Sequence, residues 1–119
     1  MQSALRSFGT ALRSVTGIGT VHHYWHPVQY TPWTVWAEQR ETNTFNRDNR
    51  KAELIIEIAV DYWTKTEYDR TVDAIQDFFE NHRYVWTLDS VLYENETNLI
   101  HWSWTIEITV PPEAEDASD

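Results

Sequence analysis

The chain has 119 residues, a formal net charge of −10 and no cysteine. The length fits one ordinary domain with one core, and the absence of cysteine excludes disulfides, thiolate catalysis and zinc sites with cysteine ligands. A net acidic chain disfavours long-range attraction to nucleic acid, because such binding begins with neutralisation of phosphates. No apolar run reaches the roughly 18–20 residues of a membrane span, and residues 1–17 lack the features of a secretory leader, so we expect a soluble protein made inside the cell.

Residues 1–17 carry the period of a helix. Apolar side chains recur at steps of three and four residues and therefore fall on one stripe. They are Leu5, Phe8, Leu12 and Val15. Ser3 is placed to cap the start of this helix, and Gly17 with Gly19 would end it. An amphipathic helix needs a surface to cover, and the simplest one is the face of a sheet.

From Thr20 the period changes to two, which indicates strands. The first strand begins at Thr20 and ends at Pro27, the second spans 33–42, and the third spans 52–63. The second strand divides into one face with Trp33, Val35 and Ala37 and an opposite face with Thr34, Trp36, Glu38 and Arg40. The third strand has the strongest pattern, and its expected buried face consists of Leu54, Ile56, Ile58 and Val60.

The segment 43–51 separates the second and third strands. It is rich in asparagine and charge and has no glycine for a tight turn, so we expect a long, mobile connection in the hairpin. Four of the nine basic residues cluster in or near it: Arg40, Arg47, Arg50 and Lys51. The favoured interpretation of this cluster is a solvated loop.

A second helix is predicted after the third strand. Thr66 and Asp69 are spaced as in a capping box, and an apolar stripe follows at Tyr68, Val72, Ile75 and Phe79. Two strands then span 84–93 and 99–110 around a polar turn. The order α-β-β-β-α-β-β predicts an α+β fold, with an antiparallel or mixed sheet of about five strands and two helices packed on it.

Residues 111–119 begin with two prolines and have no apolar periodicity. Four of the last seven residues are acidic: Glu113, Glu115, Asp116 and Asp119. We therefore predict one α+β domain over residues 1–110 and a disordered acidic tail over 111–119.

Three histidines form the one group that resembles a metal site. His22 and His26 would lie on the same side of a strand but about 13 Å apart, which is too far for one ion without ligands from other segments. The favoured interpretation of His22, His23 and His26 is surface or edge-strand histidines. The glycines at positions 9, 17 and 19 form no phosphate loop, and no nucleophile elbow occurs. We predict neither a cofactor nor an enzyme, and a metal-dependent enzyme using the histidines stays open as the alternative of another class.

The aromatic content is high, with seven tryptophans and six tyrosines. Such residues build cores and the centres of protein interfaces. Stacking on single-stranded bases would also need a basic groove, which an acidic chain does not favour. The tryptophans alternate with isoleucine and valine, as in a core.

Two segments resemble those of small phage structural proteins. The first is 58–69 (IAVDYWTKTEYD), which leads into 71–76 (TVDAIQ), and the second is 89–104 (DSVLYENETNLIHWSW). Over residues 1–110 the order of elements resembles that of the tail terminator (tail completion) proteins of long-tailed bacteriophages. Other head–tail connectors or stoppers and minor capsid proteins are the neighbouring alternatives.

The resemblance implies a viral structural protein that forms a hexameric ring, ends growth of the tail tube and takes part in head–tail joining. Implied partners are other copies of the chain, the tail tube protein, the head connector protein and, weakly, passing DNA; no membrane is implied. The implied location is the virion, at the head–tail junction, with assembly in the host cytoplasm. We predict tail-tube or lumen contacts at Phe45, Arg47, Arg50 and Lys51, and a subunit interface at Trp25, Trp33 and Trp36.

Overall fold

The computed structural model describes residues 1–24, 31–47 and 50–110, and within these ranges the side chains of 43–47 and 50–52 lie outside the description. Two helices and five strands follow one another in the predicted order, which confirms the α+β class. They are α1 (Gln2–Arg13), β1 (Thr20–His23), β2 (Trp33–Arg47), β3 (Arg50–Thr64), α2 (Arg70–Asn81), β4 (Val85–Glu94) and β5 (Leu99–Val110). The predicted acidic tail, residues 111–119, lies outside the described part of the chain.

The five strands form one mixed sheet in the order β1-β2-β3-β5-β4. β1 runs parallel to β2, and the other three neighbouring pairs are antiparallel. Two hairpins, β2–β3 and β4–β5, therefore meet at the seam between β3 and β5, and β1 and β4 are the edge strands of the described sheet.

Both helices pack on the same face of this sheet. Phe8 and Leu12 of α1 and Ile75 and Phe79 of α2 join one apolar cluster with alternate residues of the strands. The strand contribution is Trp36, Leu54, Ile56, Ile58, Val60, Tyr62, Trp104, Ile106, Ile108 and Val110. The predicted buried face of the third strand is thus confirmed. Burial of apolar surface, at roughly 25 cal/mol per Å², supplies the main stabilising term.

The hairpin between β2 and β3 corrects the prediction of a long loop over 43–51. β2 continues to Arg47, β3 begins at Arg50, and these two residues are register partners. Backbone pairing continues to these residues because each strand satisfies the hydrogen-bonding groups of the other. Such pairing does not require apolar side chains, so this polar segment can form a hairpin. The register shifts after Glu38 and Thr42. Such bulges increase the local twist of a ribbon.

The ends of α1 and of the first strand also differ from prediction. α1 starts one residue before Ser3, with Met1 as a cap without a side-chain bond, and it ends at Arg13, short of Val15. The first strand ends at His23, because Tyr24 has a φ of 78° and leaves the extended conformation.

The second helix begins later than the Thr66 capping box implies. Asp69 is its N-cap and accepts a hydrogen bond from the Thr71 amide. Tyr68, which was predicted on the buried stripe, has a φ of 55° and is 91% exposed. An N-cap residue lies outside the helix with extended backbone, so the residue before it cannot continue a helical stripe.

Candidate functional site

β4 is an edge strand with large apolar side chains in solvent. The register places Leu88, Val91 and Tyr93 opposite Trp104, Trp102 and Ile100 of β5, and therefore on the face that carries the helices. Their exposed fractions are 38%, 43% and 59%. We name Leu88, Val91 and Tyr93 the β4 patch. A cluster of exposed apolar side chains beside an unpaired strand edge is typical of an interaction surface.

A cleft of about 400 Å³ separates the β4 patch from the N-terminal end of α2. Its apolar lining comes from Val72, Val91, Ile100 and Trp102. Its remaining lining is Tyr68 and three carboxylates, those of Glu67, Asp69 and Asp73. We name it the acid-rimmed cleft. Its chemistry suits a side chain with an apolar stem and a positive end group.

Asp69 has structural partners within that lining. Its Oδ2 accepts hydrogen bonds of 2.7 Å from both Tyr62 and Thr64, and its Oδ1 accepts one of 2.9 Å from the Thr71 amide. Partial burial acts to raise the pKa of Asp69, but these hydrogen bonds outweigh it and hold the pKa below its ordinary value of 3.8. Burial, followed by the bond to Asp69, raises the pKa of Tyr62. This leaves Glu67 and Asp73, both exposed, as the acids available to a partner.

A second cleft, of about 380 Å³, lies at the opposite side of the molecule, between α1 and the start of β2. Arg6 and Arg13 line it from the helix. On its other wall the ring of His23 stacks between those of Tyr24 and Trp36, with centroid distances of 3.9 and 4.0 Å.

Glu38 fixes that aromatic stack. Its Oε1 lies 2.5 Å from His23 Nε2, and its Oε2 accepts a 2.9 Å hydrogen bond from the Tyr24 hydroxyl. Burial acts to raise the pKa of Glu38, but the bonds from His23, the backbone and Tyr24 lower it below its ordinary value of 4.5. Both carboxylate oxygens are thus already engaged within the chain.

A polar cluster lies on the sheet face opposite the helices. His101 Nε2 is 2.8 Å from Asp61 Oδ1, and His101 Nδ1 is 3.3 Å from Glu94 Oε2. Ser103 Oγ is 2.5 Å from the same Asp61 oxygen and 3.2 Å from His101 Nε2. The Trp63 ring covers His101 with a centroid distance of 4.2 Å.

These distances favour a structural tie over a catalytic site. The single hydroxyl proton of Ser103 is directed to the nearer carboxylate, so the serine is not aligned as a nucleophile towards His101. The two ring nitrogens of His101 contact Asp61 of β3 and Glu94 of β4, so this side chain connects three neighbouring strands. Within the described ranges, no group of three histidine, cysteine, aspartate or glutamate side chains is arranged to hold a metal ion.

The predicted site residues fall in different surroundings. Trp33 stacks on Trp63 at 4.9 Å, and both Trp33 and Trp36 are only 3% exposed, so neither offers much side-chain surface to a neighbouring subunit. Trp25 and His26 lie outside the described residues, as do the side chains of Phe45, Arg47, Arg50 and Lys51. Of the predicted histidine group, His23 is engaged with Glu38 and the aromatic stack.

Comparison of the sequence with known protein families and with curated proteins gives no match. Among the described residues, neither helix has the length and apolar character needed to cross a membrane. The fold and surfaces therefore define only the class of the protein, which is an α+β protein with an exposed apolar sheet edge.

Proposed function

We propose that this chain is a structural assembly protein that forms a ring with other copies of itself, as expected of a phage tail terminator. The observation that supports it best is the β4 patch, in which three large apolar side chains are exposed along an edge strand of the described sheet. Exposure of such side chains to water is unfavourable, and contact with a partner removes the penalty.

A ring requires a head-to-tail interface, in which one surface of a subunit meets a different surface of its neighbour. The β4 patch lies at one edge of the sheet, and α1 with β1 lies at the other. An open chain of subunits joined by this contact has one free surface of each kind, at its two ends, until the ring closes. The resemblance to tail terminators adds the expected number of six.

The β2–β3 hairpin supplies the second part of the proposal. Its paired strands reach Arg47 and Arg50, and this hairpin would carry Phe45, Arg47, Arg50 and Lys51 to the tail tube or the lumen. Contact of these basic residues with passing DNA would be weak, because tight binding would hinder passage. The partners proposed are the tail tube protein and the head connector protein, and the place is the head–tail junction of the virion.

The proposal is tested by native mass spectrometry of the full chain over a concentration series, with and without Zn²⁺. We expect a closed six-subunit species in the wild type and in Thr109→Glu, an exposed site on β5 away from the patch. Val91→Glu places a charge in the patch and should give a folded monomer. A wild-type chain that stays monomeric at every concentration would contradict the proposal. A monomer with one bound zinc would instead favour the metal-dependent enzyme.

A further inference from the structure

We propose that the acid-rimmed cleft binds Arg6 and Arg13 of α1 from a second copy of this chain. This inference rests on the proposed function, because it identifies the two surfaces that meet at each contact of the ring. It adds the residues that meet and the direction of the contact: the α1 side of one subunit faces the α2 and β4 side of the next.

The cleft provides what a guanidinium requires. Glu67 and Asp73 are exposed, and within the described residues neither carboxylate makes an ion pair. The indole of Trp102 and the phenol of Tyr68 also line the cleft. Arginine stacks its planar end group on aromatic rings and pairs it with carboxylates, while its methylene stem covers apolar surface such as that of Val91.

α1 presents a matching positive face. Arg6 and Arg13 are exposed, and α1 contains no acidic residue. Seven residues make about two helical turns, so the two side chains lie on the same side of the helix, roughly 10 Å apart along its axis. Within the described residues, neither arginine has a carboxylate partner, and Arg13 donates one hydrogen bond of 3.5 Å to the Thr10 hydroxyl.

Within one chain the two surfaces lie at different edges of the sheet. Arg6 and Arg13 line the cleft that includes His23 of β1 and Trp36 of β2, whereas the acid-rimmed cleft is lined by residues around the start of α2 and on β4 and β5. The linings of the two clefts share no described residue, so we place the two surfaces on different subunits, and a head-to-tail contact repeats this pairing around a ring.

Charge reversal distinguishes this contact from other modes of association. The first variant is Arg6→Glu with Arg13→Glu, and the second is Glu67→Arg with Asp73→Arg. Each should weaken self-association at least tenfold, because like charges then face one another. Mixing the two variants in equal amounts should restore assembly, with alternating subunits, because each variant then complements the other on both sides. The control, Lys65→Glu with Arg83→Glu, changes the net charge as much as the first variant but lies at neither surface.

The readout is native mass spectrometry of the full chain at low ionic strength, with circular dichroism to confirm that each variant is folded. Wild-type assembly should also weaken as salt is raised, since ions screen surface charges. Assembly of both charge-reversed variants at wild-type strength, with Val91→Glu still monomeric, would overturn this inference and leave the ring proposal standing. Failure of the mixture to assemble while the control assembles would overturn it as well. A monomeric wild type would end both proposals.

Discussion

The hydroxyl of Tyr62, buried in the middle of the helix-covered sheet face, donates a 2.7 Å hydrogen bond to Asp69, the N-cap of α2. One carboxylate therefore joins β3 to the start of the helix that covers it. The same oxygen accepts from Thr64, so the connection between strand and helix is held at both of its ends. Asp69 also lines the acid-rimmed cleft.

Asp69→Ala should destabilise the chain by about 2–4 kcal/mol. Loss of an N-cap costs about 1 kcal/mol, and the buried Tyr62 hydroxyl would lose its acceptor, which adds about 1–3 kcal/mol. Urea unfolding followed by tryptophan fluorescence measures the change. In the Tyr62→Phe background the same substitution should cost less, because the unpaired hydroxyl is gone. Equal costs in the two backgrounds would show that the bond contributes nothing.

Stability should fall in acid through the titration of Asp69. The pKa of Asp69 in the folded chain lies below the ordinary value of 3.8. The carboxylate therefore stays charged in the folded chain at pH values at which the unfolded chain already begins to bind a proton. The stabilisation is therefore complete above pH 3.8 and is lost as the pH falls through the folded pKa. Asp69→Asn should flatten the acid limb of a plot of unfolding free energy against pH. Tyr62→Phe, which removes one hydrogen bond, should give an intermediate slope.

Gly9→Ala should destabilise α1, although alanine is the better helix former by about 1 kcal/mol. A Cβ at position 9 would lie 2.8 Å from Cζ2 of Trp36, a buried ring that is already packed against Phe8. Such overpacking costs about 1–3 kcal/mol, so the net change should be a lower melting temperature. Thr10→Ala, on the exposed side of the same helix, is the control and should change stability little. A higher melting temperature for Gly9→Ala would contradict this packing.

His101→Leu should destabilise the chain by about 1–3 kcal/mol at neutral pH. The substitution removes the contact that His101 makes with each of the partly buried Asp61 and Glu94, and loss of a hydrogen bond to a charged group is unfavourable. Urea unfolding measures the effect, and Thr109→Ala, an exposed site on the same strand, is the control. A leucine variant as stable as the wild type would mean that packing of the leucine on Trp63 compensates for the lost polar contacts.

The sequence predicts the elements that depend on strict alternation or helical spacing. β5 begins and ends at the residues expected, because its alternation is unbroken from Leu99 to Val110. The extent of the β2–β3 hairpin was predicted wrongly, because backbone pairing does not depend on apolar side chains and leaves no hydrophobic period in 43–51. The start of α2 was missed for a local reason: Asp69 can occupy either the N-cap or the third helical position, and only the backbone at Tyr68 decides.

The surfaces were less predictable than the elements. The cluster of Asp61, His101 and Ser103 requires the register of β3 against β5, which joins residues about forty positions apart in the chain. Likewise, Val91 and Tyr93 read as ordinary strand residues, and their exposure follows from the position of β4 at the sheet edge. The tryptophans show the opposite relation between residue type and position. Trp33 and Trp36 are typical of interfaces by residue type, but strand pairing and α1 bury them.

The strand order has a consequence for the chain while it is being made. β3 lies in the middle of the sheet, but its second neighbour, β5, is the last strand in the described part of the chain. During synthesis β2 and β3 can pair early, because a hairpin closes a short loop at low entropic cost. The β5 edge of β3, with Ile56 and Ile58 beside it, stays open until residues 99–110 have left the ribosome. Any helper that protects the nascent chain would act in that interval.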